Sequence, residues 1–250
     1  PTFNVKLAES RGEIKLAQKL RYKVFFSERI KNPILNIGNF RRDSDKFDNY
    51  ADHIIVTHRK SKFSKTKVIG TYRLLKQSVA EKKSVFYSCD EFNLENLLNS
   101  RIYNNMLELS RSCISQKFRN KNVLQLMWKE IHHYINKNNI DALFGTASFL
   151  NTNISKIEDQ LIYLNHHHKM PDNITVSALP KYRVNIDYQK KINLNIRLFA
   201  KLPTLIKAYL KFNASIGTGA VIDNKFKTTD VFIFLPIEKI NKEYVNKILD

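Results

Sequence analysis

The residues best suited to chemistry lie in one stretch, Met106-Leu107-Glu108-Leu109-Ser110-Arg111-Ser112-Cys113, followed by the basic turn Lys117-Phe118-Arg119-Asn120-Lys121 and a helix-like run from Val123. Apolar and polar residues alternate from Met106 to Ser110, which predicts a strand with Glu108, Ser110 and Ser112 on one face. A strand, a basic loop and a helix start, in that order, make a phosphate-ready device. The unpaired N–H groups and positive dipole end of the helix attract anions, and Arg119 and Lys121 add formal charge. Glu108 is then a carboxylate one strand-length from an anion site and a candidate general base. Its alternative is a structural ion pair with Arg73 or Arg111. Strict alternation puts Glu108 and Arg111 on opposite faces, whereas a bulge would turn both toward one cleft.

Other reactive types have weaker settings. Cys113 lies two residues from Arg111, and a guanidinium can stabilise a thiolate, but no histidine base is placed beside it by sequence. A reduced core thiol is the expectation. His166-His167-His168, with His132 and His133, invite a metal reading. Neighbours in sequence point in different directions, and no cysteine or acidic ligand lies at metal spacing, so a solvated helix end accounts for the run.

The elements that must position these groups can be read in order. A short strand spans Phe3 to Leu7, and a helix runs from Glu13 to about Glu28 with Ile14, Ala17, Val24 and Phe25 on one stripe. Arg21 falls on that stripe and either points inward or snorkels to its edge. The loop from Asn32 to Asp52 gathers Asp43, Asp45, Asp48 and Asp52, potential partners for buried arginines. His53 to His58 and Val68 to Leu75 form a hairpin whose second strand places Arg73 among Ile69, Thr71 and Leu75. Then come a short helix from Glu95 to Ser100, the strand around Glu108, a helix from Val123 to Asn138, a buried strand from Ala142 to Ala147 and a helix from Ile154 to Leu164. Residues 170–195 read as irregular, with one strand around Tyr182 to Ile186. Pro203 opens a basic amphipathic helix, which either packs on the sheet or lies on an anionic membrane. Ala220 to Ile222 and Val231 to Leu235 are strands, and a closing helix carries Ile237, Ile240, Tyr244 and Ile248. No internal repeat or composition break marks a linker, so one domain is expected over residues 1–250.

Composition bounds the partners. Lys and Arg number 42 against 23 Asp and Glu, a formal charge of +19, so an anionic partner is expected: nucleic acid, an anionic membrane or an acidic protein. No zinc-finger, aromatic RNP or helix-turn-helix pattern supports nucleic acid beyond charge. No apolar run approaches a membrane span and no signal-like segment is present, so a soluble or peripheral protein is expected. Cys89 and Cys113 give no disulfide framework, which suits a reducing cytosol.

Six segments in order carry a resemblance: Leu20-Arg21-Tyr22-Lys23-Val24-Phe25, Ala51-Asp52-His53-Ile54-Ile55-Val56, Ile69-Gly70-Thr71-Tyr72-Arg73-Leu74-Leu75, Leu107-Glu108-Leu109-Ser110-Arg111-Ser112-Cys113, Leu143-Phe144-Gly145-Thr146-Ala147-Ser148-Phe149 and Thr228-Thr229-Asp230-Val231-Phe232-Ile233. Together they resemble the ornithine-lipid acyltransferases, also filed as "hemolysin-like", within the GNAT superfamily. The match runs from about Leu16 to Phe234. A related family, the acyl-homoserine-lactone synthases, shares an arginine and phenylalanine on the first helix, two loop aspartates, an arginine on the third strand and a Glu-x-x-Arg on the fourth. The matching residues are Arg21 and Phe25, Asp45 and Asp48, Arg73, and Glu108 with Arg111. The stretch from Gly219 to Ile233 resembles the ornithine-lipid group and not the lactone synthases.

The resemblance implies an α/β (α+β) fold with a GNAT-like mixed, twisted central sheet, flanked by helices, whose fourth strand is bulged and splayed. The part from about residue 170 is family-specific. It implies an acyltransferase moving a 3-hydroxyacyl chain from acyl carrier protein to the α-amine of L-ornithine, giving lyso-ornithine lipid, with acyl-coenzyme A as the alternative donor. In that reading Glu108, Arg111 and Arg73 form the catalytic group, and Ser110, Ser112, Cys113, Arg119, Asn120 and Lys121 hold the donor arm. Arg21, Phe25, Asp45, Asp48 and Ser148 support the site. Residues 116–122 contain no glycine, unlike the usual GNAT pyrophosphate loop. A carrier protein's single phosphate asks less of such a loop. The expected location is the cytoplasm, peripheral on the inner face of the membrane. An N-acyltransferase for another amino acid or amine, a nucleic-acid binder and a membrane-damaging protein are the other readings.

Overall fold

Alternating and helical periodicities resolve into a mixed α/β fold. The computed structural model describes residues 2–28, 41–83, 85–119, 121–192 and 196–249. Its strands are β1 (Thr2–Leu7), β2 (Asp52–Arg59), β3 (Lys67–Lys76), β4 (Phe92–Asn93), β5 (Met106–Ile114), β6 (Ala142–Phe149), β7 (Ser177–Ala178), β8 (Ser215–Asp223) and β9 (Thr228–Pro236). Its helices are α1 (Arg11–Tyr22), α2 (Gln77–Lys83), α3 (Glu95–Asn99), α4 (Lys121–Asn138), α5 (Glu158–His167), α6 (Ile196–Lys201), α7 (Thr204–Lys211) and α8 (Lys242–Leu249). The chain divides into two units, residues 1–83, 109–139 and 248–250 in one and residues 84–108 and 140–247 in the other. Strand β5 contributes to both, changing unit between Glu108 and Leu109.

In the first unit the strands lie in the order β1-β2-β3-β5. Strands β1 and β2, and β2 and β3, are antiparallel, with Ile55 opposite Thr71 and His53 opposite Arg73. Ile54, Ile55 and Val56 are fully buried, as a run of β-branched residues under helices on a sheet should be. Ser10 caps α1 by accepting from the Glu13 N–H, and the helix ends in a π turn, Lys23–Ser27, that buries Val24 and Phe25. Helix α4 lies close on the sheet at Gly70. A Cβ there would sit 3.2 Å from Met127 Sδ and 3.3 Å from Val123 Cγ1, so the missing side chain lets the helix approach.

In the second unit the order is β6-β9-β8-β7-β4, with β6, β9 and β8 antiparallel and β7 parallel to β8. Every residue of β9 is buried, the signature of a central strand. Phe86, Phe92, Phe144 and Phe232 pack with ring centroids 4.8 to 5.7 Å apart, edge-on, tilted and stacked in turn, and form the aromatic core. Strand β8 shifts register between Ile216 and Ala220, where Gly219 takes a φ of 83°. Leu202, Ile206, Tyr209 and Leu210 are buried, so the stripe around α7 packs inward instead of facing a membrane. No described helix is long and apolar enough to cross a membrane.

Several sequence expectations needed correction. No strand forms at 182–186; Tyr182 and Arg183 donate to the Leu179 carbonyl in a turn, and Arg183 makes one isolated bridge to Val221. The helix expected from Ile154 begins at Glu158, after a 3-10 turn at Ile154–Lys156. Strand β8 begins at Ser215, five residues before the expected Ala220, because glycines at 217 and 219 obscure its alternation. Most of the first half of the loop from Asn32, residues 32–40, lies outside the described residues, whereas its aspartates are described.

Candidate active site

Three arginines and three aspartates form a buried lattice in the first unit. Arg21, 0% exposed, donates from Nε to Asp43 Oδ2 at 2.9 Å and from its two terminal nitrogens to the oxygens of Asp48 at 2.8 and 2.7 Å. It also donates to the Asp43 carbonyl. Arg73, 1% exposed, donates to Ser110 Oγ at 3.0 Å, to Asp45 Oδ1 at 2.6 Å and to Asp48 Oδ1 at 3.2 Å. Arg111 lies 3.1 Å from Asp43 Oδ2 and donates to Asp45 Oδ2 at 3.0 Å. Charges this deep are tolerable only when opposed and hydrogen-bonded, and here they are both. The inward reading of Arg21 is therefore the one realised.

The local sequence builds the acidic half. Asp45 starts a 3-10 turn, Lys46–Asn49, in a reciprocal cap: its side chain accepts from Phe47 N, and Asp48 Oδ2 accepts from Asp45 N. One Asp-x-x-Asp segment thus both folds its turn and aims two carboxylates at the arginines. Burial raises both carboxyl pKa values, but the Arg73 and Arg111 guanidiniums hold Asp45 below the ordinary range, and Arg21 with Arg73 hold Asp48 well below it. Asp48 and Asp43 in turn outweigh burial and raise the pKa of Arg21. His53, 3.8 Å from Asp48 Oδ1, goes the other way: burial lowers it to about 4, with Asp48 opposing and Arg21 and Arg73 adding to the fall.

Strand β5 breaks its alternation at Arg111, which has a φ of 53°. A left-handed residue inside a strand re-aims the side chains beside it. As a result the sequence neighbours Ser110 and Arg111 both reach the lattice, Ser110 through Arg73 and Arg111 through Asp45. Sequence reasoning expected a bulge in this strand, and the departure falls at Arg111 itself. The bonds above commit both Arg73 and Arg111 to aspartates.

Glu108 belongs to the second unit and is fully buried. Its Oε2 accepts from Tyr87 N at 2.9 Å, and its Oε1 accepts from Ser88 N at 2.7 Å and Ser88 Oγ at 2.6 Å. These N–H groups open the 3-10 turn Tyr87–Asp90, whose capping residue, Phe86, has no polar side chain. Glu108 supplies that cap from twenty positions away. No periodicity announces this turn, which is why sequence reasoning missed Ser88.

The basic loop that follows β5 is partly described. Arg119 is exposed, pairs with Glu28 and donates from Nε to the Ile114 carbonyl at 3.1 Å. Asn120 and the side chain of Lys121 lie outside the described residues. Ser112 is half-buried and Cys113 is buried at 6% exposure. Phe25 is buried in the π turn beside the lattice-bearing helix. Ser148, in the second unit, is half-buried opposite Asp230.

Comparison with known proteins places this arrangement. A family model described as an acetyltransferase (GNAT) domain matches residues 20–129. A solved coenzyme A-dependent acyl-homoserine lactone synthase, 11% identical, matches 99% of this chain and 88% of its own at a TM-score of 0.50, a likeness of fold alone. The fold is that of a GNAT-type acyltransferase. L-ornithine N(alpha)-acyltransferase of Brucella abortus (strain 2308) is 39% identical over 248 residues, covering 98% of this chain and 88% of that protein. The Rhizobium meliloti (strain 1021) and Rhodobacter capsulatus proteins of the same name are 37% and 31% identical, over 98% and 97% of this chain and 83% and 93% of theirs. The chain belongs to the L-ornithine N(alpha)-acyltransferase family.

Proposed function

We propose that this protein transfers a 3-hydroxyacyl chain from the phosphopantetheine arm of acyl carrier protein to the α-amine of L-ornithine, forming lyso-ornithine lipid. The observation that carries the reading is the identity of 31 to 39%, along nearly the whole chain, to proteins named as L-ornithine N(alpha)-acyltransferases. The α-amine arrives as an ammonium and must lose a proton before its lone pair attacks the thioester carbonyl. Glu108, hydrogen-bonded to the Tyr87–Ser88 turn, takes that proton through a bridging water, since its own oxygens are buried. The N–C bond forms first, giving a tetrahedral intermediate; on its collapse the C–S bond breaks, and the nitrogen's second proton leaves with the thiolate as a thiol. A backbone N–H of β5 near Ser110 to Ser112 stabilises the intermediate oxyanion. Arg73 and Arg111 act as positioning residues that fix β5 against the aspartate turn.

The net charge of +19 supports an acidic carrier protein as donor and an anionic membrane surface as the workplace in the cytoplasm. Arg119, Asn120 and Lys121 receive the phosphate of the arm, with Ser110, Ser112 and Cys113 beside it. The test is turnover of purified Glu108→Gln with 3-hydroxyacyl carrier protein and ornithine. A fall of roughly hundred-fold or more with carrier binding retained supports the role of Glu108. Full turnover makes Glu108 purely structural.

A further inference from the structure

The hairpin that joins β2 to β3 ends in Arg59-Lys60-Ser61-Lys62-Phe63-Ser64-Lys65-Thr66-Lys67, five cations in nine residues, and residues 53–80 contain no Asp or Glu to offset them. All five cations are exposed, and Phe63 is 100% exposed. The tip is nevertheless a built turn. Ser64 N donates to the Ser61 carbonyl at 3.1 Å, and the two serine hydroxyls lie 2.8 Å apart. Arg59 donates from Nε and Nη2 to Thr66 Oγ1 at 3.2 and 3.0 Å. Polar side chains thus hold the turn, and Phe63 at its centre contributes its whole surface to solvent. Water satisfies the lysines but not a bare phenyl ring. An apolar centre ringed by charge is the makeup of a small protein–protein contact.

The stalk of this hairpin packs on the basic loop that follows β5. His58, opposite Phe3 across β1 and β2, has its ring 4.9 Å from that of Phe118, and the ring of Phe3 lies 6.2 Å from it. Ser115 N donates to the Ile69 carbonyl at 2.8 Å, tying the start of the loop to β3. The hairpin tip and the exposed Lys117 and Arg119 therefore stand at one end of the sheet in the first unit. Five residues of chain separate Phe63 from His58, so the tip lies at most about 18 Å beyond the ring that touches the loop.

We infer that the tip between β2 and β3 docks the protein body of the acyl donor, an acidic carrier protein, with Phe63 at the centre of the contact and the lysines around it. The inference rests on the proposed carrier-protein donor. The phosphate that ends a phosphopantetheine arm is esterified to the carrier, so a phosphate held at the basic loop leaves the carrier's surface only a few bonds away. A small domain is about 30 Å across, and seated at that loop its footprint takes in the tip. The five cations match its acidity. Coenzyme A has a nucleotide in place of the carrier and no body to reach the tip. An anionic membrane would meet the same charge, but it gives no reason for the tip to stand beside the loop.

The experiment titrates apo acyl carrier protein, which lacks the arm and so reports the body alone, by fluorescence anisotropy at low salt. It compares the wild type with Phe63→Ser and with Lys62→Glu/Lys65→Glu, all at exposed positions, so melting temperatures should stay in place. Kd is expected to rise roughly ten-fold for Phe63→Ser and roughly ten- to hundred-fold for the charge reversals, the second difference shrinking as salt is added. With 3-hydroxyacyl carrier protein and ornithine, KM for the donor should rise in step while kcat holds. The same reversals at exposed Lys15 and Lys19 of α1 should change Kd little. An unchanged Kd in both tip variants overturns the inference, and an equal loss from the α1 reversals overturns it by assigning the effect to net charge. Retained carrier binding with lost binding to vesicles of anionic phospholipid also overturns it, assigning the tip to a membrane. A wild type that binds no carrier protein yet acylates ornithine from acyl-coenzyme A defeats the carrier as donor and this inference with it. Carrier binding through the tip without acylation of any amino acid defeats the proposed acylation and leaves the docking surface standing.

Discussion

Arg73 and Arg111 hold opposite oxygens of one carboxylate: the first donates to Asp45 Oδ1 at 2.6 Å and the second to Asp45 Oδ2 at 3.0 Å. Arg73 stands on β3, Arg111 on β5, and Asp45 at the head of the turn that closes the acidic loop. A single side chain therefore couples two neighbouring strands to a loop. This makes the lattice a device for setting the position of β5.

Arg21→Ala is expected to destabilise the protein by about 3 to 5 kcal/mol, the cost of leaving buried carboxylates without their partner. Arg21→Lys should recover little, because an ammonium cannot span Asp43 and Asp48 as the guanidinium does. Urea unfolding of the three proteins at pH 7.5 checks this. An unchanged midpoint for Arg21→Ala would contradict the lattice.

Acid should weaken the fold in two stages. His53 has a folded pKa of about 4 against an ordinary 6.5, so below pH 6.5 the unfolded chain binds a proton that the folded chain refuses. Stability then falls as pH drops across that window, by up to ~3 kcal/mol. Asp45 and Asp48 have depressed pKa values, so their stabilisation is present above the ordinary carboxylate value and is lost as pH falls through their folded values. His53→Phe should flatten the first stage and leave the second, as read by urea unfolding from pH 7.5 down to pH 3. A flat profile between pH 6.5 and 4 in the unmodified protein would contradict it.

Ser88→Ala removes the hydroxyl on Glu108 Oε1 and keeps both backbone donors. The expected cost is about 1.5 to 3 kcal/mol of stability, the range for a bond to a charged group. Urea unfolding beside the wild type measures it. An unchanged midpoint would contradict the clamp on Glu108.

Arg119→Ala should weaken binding of an acidic carrier protein at low salt, and the difference from wild type should shrink as salt screens the surface. Titration by fluorescence anisotropy at two ionic strengths measures it. Equal affinities at both would remove Arg119 from the docking surface.

Much of this lattice was legible from local pattern. Arg21 sits seven residues after Ile14 on a buried stripe, Arg73 shares the strand face of Ile69 and Leu75, and the acidic loop that neutralises them stood out in a basic chain. What stayed hidden depends on contacts distant in sequence or on backbone that no residue type signals. Arg111 adopts a positive φ without being glycine, so nothing in its identity announces the break. The clamp on Glu108 uses a four-residue turn twenty positions away, too short for any period.

The most direct test of the account is product analysis by mass spectrometry after purified protein is incubated with 3-hydroxyacyl carrier protein and a panel of free amino acids. One dominant product is expected, ornithine acylated on its α-nitrogen. Acylation of no amino acid, alongside transfer from a simple acyl-coenzyme A to an unrelated amine, would contradict it.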